Sequence, residues 1–165
     1  MLRNKELIIK SELTELHKLE AYVEQISDVY NVNSNYYSNI LVALNEAVTN
    51  SIVHGNKENK ESNVHINFEA KNKGLFFTVV DEGSGFDFDN YPDPTDVSID
   101  DKESMEIGRG LYLMKSLSDV ISYDFKQNSI ELGFKISSIN KELAVSRVKS
   151  LQAYFQTNEK PVNVK

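Results

Sequence analysis

The chain of 165 residues contains no cysteine. That excludes a disulfide framework and any thiolate metal site, and it fits a reducing, cytoplasmic setting. Its three histidines are scattered, too few for a histidine metal cluster. Proline occurs only at Pro92, Pro94 and Pro161. No apolar run approaches a membrane span, and Met1-Leu2-Arg3-Asn4-Lys5 lacks the apolar stretch of a signal peptide. Positive charge is also in short supply: 18 Lys and Arg stand against 25 Asp and Glu, for a net charge of -7. Affinity built on phosphate contacts needs a basic face, so direct nucleic-acid binding is not expected. An acidic chain binds a nucleotide through local devices instead: backbone N–H groups, a helix N-terminus, a metal ion.

What is present describes a globular domain. Hydrophobic residues make up 40% and charged residues 26%, and a chain this long buries roughly two-thirds of its unfolded surface. Residues 5–10 read as a first strand, with Ser11 as the N-cap of a helix running to about residue 30 on Leu13, Leu16, Leu19, Val23 and Ile26. After a polar break over Asn31–Asn35, with Ser34 as another cap candidate, Ile40, Leu44, Ala47, Val48 and Ile52 form the stripe of a second helix. His54-Gly55-Asn56 reads as its stop. Val64–Ala70 alternates and Leu75–Val80 is more apolar, so the two read as a hairpin around Asn72-Lys73-Gly74. Residues 88–106, acidic and aperiodic, read as a long functional loop or lid. Gly108-Arg109-Gly110 is expected to open a third helix, followed by a second hairpin of Val120–Phe125 and Ile130–Ile136. The pattern predicts an α+β fold, a two-layer α/β sandwich with helices on one face of a mixed, mostly antiparallel sheet. Residues 138–165 are set apart as a C-terminal extension, with a helix near 140–156 and a frayed tail, leaving residues 1–137 as the main domain.

Three constellations carry chemistry. Glu46, Asn50 and His54 stand at four-residue intervals and share one helix face. Asn50 offers a neutral oxygen suited to Mg²⁺, and Glu46 a carboxylate able to take a proton from a hydroxyl or water; both also read as solvent-facing helix residues, and His54 reads either as a cofactor-binding residue that approaches phosphate or as a helix end. Asp81-Glu82-Gly83-Ser84-Gly85 follows a buried strand directly. A carboxylate there can accept from a purine's exocyclic amine, and the glycines let backbone approach a flat ring; a tight turn with solvated acids is the plainer reading. Gly108, Arg109 and Gly110 at a helix start would present N–H groups to phosphate, with Arg109 either adding a charge-assisted contact or facing solvent.

In combination, in this order, these motifs resemble the nucleotide site of the Bergerat-fold (GHKL, histidine kinase-like) ATPases over residues 35–136. Asn50 matches the N box, Asp81–Gly85 the first glycine box and Gly108–Gly110 the second. Within that superfamily, Glu-Ala-Val-Thr-Asn-Ser-Ile-Val-His-Gly and Gly-Arg-Gly-Leu-Tyr-Leu-Met look like the boxes of the anti-sigma-factor serine/threonine kinases. The resemblance implies ATP and Mg²⁺ as cofactors. It gives Asp81 the adenine, Gly83 and Gly85 the pocket walls, Asn50 the metal, Gly108, Arg109 and Gly110 the phosphates, and Glu46 the role of catalytic base. The family often has Gly-Thr before its last strand; Asn128-Ser129 stands there, so Ser129 is the candidate hydroxyl near adenine. The implied function is a cytoplasmic protein kinase that sequesters a sigma factor and phosphorylates a STAS-domain anti-sigma factor antagonist, with a homodimer implied by the same resemblance. The alternative is a nucleotide-gated binding module with little or no kinase activity. A histidine kinase is disfavoured: His17 on the first helix is followed by no second long helix before the N box. A gyrase- or Hsp90-like ATPase needs a transducer domain for which the chain is too short.

Overall fold

A computed structural model describes residues 2–71, 74–85 and 102–135, together with Lys149, Gln152 and Ala153. Five strands, β1 (Asn4–Lys10), β2 (Asn63–Lys71), β3 (Gly74–Asp81), β4 (Val120–Asp124) and β5 (Ser129–Phe134), form one sheet in the order β1-β2-β3-β5-β4. Every described pairing is antiparallel. Three helices, α1 (His17–Tyr30), α2 (Ser34–Asn50) and α3 (Lys102–Leu117), supply the apolar surface that the sheet needs on one face. The expected sandwich is therefore present. Of the lid expected over 88–106, residues 88–101 lie outside the described residues, as does nearly all of the extension from 138, while 102–106 are corrected: they form the start of α3 rather than loop.

Pleating explains which residues meet the helices. Successive side chains alternate across the sheet, and Ile66, Val79 and Ile130 stand opposite one another on neighbouring strands. All three are buried. Two residue pairs along, on the same face, Phe68 stands opposite Phe77. The rings of Tyr30, Phe68, Phe77 and Phe134 then run across the core at centroid separations of 5.9, 5.3 and 6.1 Å, within the range where aromatic pairs attract beyond their area. The opposite face carries polar pairs such as Lys71–Glu131 at 2.8 Å.

Both expected helix caps are corrected. Ser11 is buried and spends its hydroxyl on Asn56 Nδ2, which donates to it at 2.7 Å. A 3-10 turn over Leu13–Leu16 leads into α1 without a side-chain cap. At α2 the cap is Asn33, whose Oδ1 accepts from Tyr36 N–H at 3.0 Å, so Ser34 is already the first helical residue. An extended residue with a short carbonyl arm serves an orphan helix N–H as well as a hydroxyl does. Among the described residues no helix is long and apolar enough to cross a membrane. Replacing Asn33 by Ala is expected to cost about 1 kcal/mol of stability, and Ser34→Ala less than about 0.5 kcal/mol, both read from urea denaturation midpoints.

Candidate functional site

The site forms where the end of α2 meets the end of β3. Past Asn50 the helix widens into a π turn, Ser51–Gly55, closed by the Asn56 N–H donating to Ser51 O at 2.8 Å. Such turns carry an extra residue and recur at functional sites. The one-turn stacking therefore holds for Glu46 and Asn50 and ends at the wider turn that carries half-buried His54. Gly55 is not a left-handed helix cap; the left-handed residues follow it, at Lys57 and Glu58. It is glycine for another reason. A Cβ on Gly55 would lie 2.5 Å from the Asp81 carboxylate carbon, and one on Gly83 would overlap the Gly55 carbonyl oxygen. Loop and helix end thus touch backbone to backbone around Asp81.

Asp81 is buried. Its Oδ1 accepts the Gly83 N–H at 2.9 Å, and the Ser51 hydroxyl also bonds the carboxylate. Burial pushes its pKa up, and those two donors offset part of the rise. A carboxylate has about four acceptor positions, so capacity remains for a further donor. Asn50, Ser51, Val79, Met114, Asn128 and Ile130 line the space beside it, whose volume of about 10 Å³ is that of one water. A space of this size does not admit a purine.

Glu46 and Asn50 meet α3 at Gly110. A Cβ there would stand 2.9 Å from Glu46 Oε2 and 3.3 Å from Asn50 Nδ2, so the missing side chain lets α3 lie against both. Desolvation raises the Glu46 pKa, and the Arg109 guanidinium lowers it. Asn50 is buried, and among the described residues its Nδ2 has no hydrogen-bond partner. An orphaned buried amide is uncommon and calls for a cause. A carboxamide so placed fits Mg–nucleotide chemistry: an oxygen for a hard cation, an N–H₂ for a phosphate oxygen. Among the described residues no cluster of three or more His, Asp and Glu is arranged to hold a metal.

Residues 9–134 match the family model of the histidine kinase-like ATPase domain. The chain belongs to that family. It is 39% identical over 83 residues to the serine-protein kinase RsbW of Bacillus subtilis, covering 48% of this chain and 52% of that protein. To the anti-sigma F factor of the same organism it is 32% identical over 109 residues, covering 66% of this chain and 70% of that protein. A serine-protein kinase RsbW of Staphylococcus aureus is 31% identical over 97 residues, covering 55% and 59%. The chain thus spans about half the length of the first of these relatives. The fold is that of a GHKL ATPase domain resembling the anti-sigma-factor serine kinases, and ATP binding is consistent with that fold.

Two expectations for this ATPase domain are corrected. Gly108-Arg109-Gly110 does not open α3, which starts at Lys102. Residues 102–107 hold neither Gly nor Pro, and buried Ile107 continues the stripe of Leu111 and Met114, so the helix propagates backwards through the glycines. Their N–H groups lie in a helix interior rather than at its free end. Ser129 does not reach the pocket either. It pairs with Val80, while Val79 and Ile130 line the pocket from the other face. Pleating turns Ser129 away and brings its neighbour Asn128 in. Gly85 is left-handed, with φ +80, and a Cβ there would stand 2.6 Å from Asn128 Oδ1. Ser51, Gly55, Asn56 and Asn128 are the residues that sequence reasoning missed; of these, the N-box position of Ser51 was the readable signal.

A raised carboxylate pKa means that the folded state favours the protonated form. The stabilising share is complete at acid pH and is lost as pH rises through the folded-state pKa. Asp81→Asn is therefore expected to raise the melting temperature at pH 7, with the gain fading toward acid pH, and to weaken ATP binding by tenfold or more, about 1.4 kcal/mol or above. Thermal melts across pH and calorimetric titration check the two parts.

Proposed function

We propose that this chain is an ATP-dependent anti-sigma regulator and a protein serine/threonine kinase, which sequesters a sigma factor and phosphorylates a Ser or Thr of a STAS-type antagonist. Its similarity to proteins named anti-sigma F factor and serine-protein kinase supports the general function. The observation that carries the catalytic part is the placement of Glu46 beside Asn50 under Gly110, because nucleotide binding alone has no use for a half-buried carboxylate at that point. In this reading residues 1–137 form the ATP-binding unit and 138–165 an appended extension, and the protein works in the cytoplasm.

Each residue then has a task. Asp81 accepts a hydrogen bond from the adenine amine, in a pocket shaped by Gly83 and Gly85. Asn50 gives its carboxamide oxygen to Mg²⁺. Bound ATP–Mg²⁺ supplies the activated γ-phosphoryl group. Glu46 takes the proton of the attacking hydroxyl as that oxygen bonds to phosphorus and the bond to the ADP oxygen breaks. Positioning and charge stabilisation provide most of the acceleration in phosphoryl transfer. The raised pKa of Glu46 makes the rate fall as pH drops through it. Contacts from Gly108, Arg109 and Gly110 to phosphate require the first turns of α3 to unwind, which frees the glycine N–H groups.

Glu46→Gln is expected to lower transfer from labelled ATP to a STAS-domain protein by about 10²–10⁴-fold while ATP binding stays within about twofold. Transfer undiminished in this variant sinks the base assignment, and no transfer from the wild type favours the nucleotide-gated module. Weakening the start of α3 has the opposite sign. Glu106 is exposed, and Glu106→Gly makes the helix less favourable by roughly 0.5–1 kcal/mol. ATP affinity should then rise about two- to fivefold, measured by titration.

A further inference from the structure

We propose that Asn56 and Asn128 are positioning residues of the nucleotide site, whose carboxamides grip the chain on either side of the Glu82–Gly83 peptide and fix the direction in which Asp81 presents its carboxylate to a purine. This rests on the reading of Asp81 as the residue that meets the nucleobase.

The hydrogen bonds of the loop can be followed group by group. The Asp81 N–H donates to Asn128 O at 3.2 Å. The Glu82 N–H donates to Asn56 Oδ1 at 2.8 Å. The Gly83 N–H turns back to Asp81 Oδ1 at 2.9 Å. The Gly83 carbonyl accepts from Asn128 Nδ2. Of these four bonds, three end on the two asparagines, and the fourth is the one that orients the carboxylate. If the grip is lost, the Gly83 N–H swings with its peptide and carries the Asp81 carboxyl along.

Each asparagine is itself held. Asn56 is buried, and its Nδ2 donates to Ser11 Oγ at 2.7 Å and to Asn63 O at 2.9 Å. Two acceptors face that nitrogen and a donor faces the oxygen, so only one orientation of the amide satisfies all three. The π turn is thereby tied to the starts of β2 and of the 3-10 segment. Asn128 sits in the turn between β4 and β5 with φ 47, a left-handed conformation that asparagine tolerates better than most residues. It anchors the loop from the β5 side of β3, and Asn56 from the β2 side. A site held within a narrow angular range by residues that are themselves held discriminates better than one on a free loop.

The discriminating measurement compares ATP with purine riboside triphosphate, which lacks the exocyclic amine, for wild type and Asn128→Gly. Glycine accepts the left-handed φ without strain, so this variant removes the carboxamide and leaves the turn intact. Wild type should prefer ATP, and the preference should fall by about tenfold in Asn128→Gly, the size of one well-placed hydrogen bond. A merely structural role would weaken both nucleotides equally and leave their ratio unchanged; that result overturns the proposal. Asn56→Asp, which keeps the acceptor for the Glu82 N–H and loses the donor, gives a second reading of the ratio, with a smaller fall expected and an unchanged ratio counting against Asn56. If wild type shows no preference for ATP, the assignment of Asp81 to the nucleobase fails, a result separate from failure of the grip.

Discussion

The contact on which the rest depends is the backbone-to-backbone meeting of the π turn and the loop after β3. Two glycines bring it about. Gly55 gives up its side chain to the Asp81 carboxylate and Gly83 gives up its own to the Gly55 carbonyl. The result is a carboxylate taken out of water at the end of a central strand. A buried charge without partners is costly, and the structure answers with the Ser51 hydroxyl and the Gly83 N–H. Those donors lessen the rise in pKa without cancelling it.

The α2–α3 contact repeats the theme. Gly110 lets one helix lie on the polar line of another, so Glu46 loses hydration and Asn50 keeps an unpartnered N–H₂. Both features cost stability in the free protein. Strain of this kind concentrates at functional sites, where local rules are broken for a purpose. The aromatic rings across the core and the uninterrupted antiparallel sheet compensate elsewhere.

Much of this was legible in the residues. Val64–Ala70 announced itself as a strand by alternation and Leu75–Val80 by its apolar run, and the hairpin pairing followed. Glu46 and Asn50 could be placed on one face because four residues make about one helical turn. Other assignments failed for identifiable reasons. Ser129 against Asn128 is a one-residue question, and in a strand one residue decides the face. Ser11 looked like a cap because the sequence does not show that Asn56 lies against it. Gly108–Gly110 looked like a helix start because glycine usually is not found inside a helix; the packing of Ile107 overrode that preference.

By itself the sequence determined the two layers, the order of the boxes and the identity of the chemical groups. Those follow from period, composition and spacing, which are local. The tertiary structure alone decided that Gly55 is small for the sake of Asp81, that Asn56 and Asn128 hold the same loop from opposite sides, and that Gly110 rests on Glu46 and Asn50. These are contacts between residues 26 or more apart along the chain, and only the packing of the core against the sheet brings them within reach.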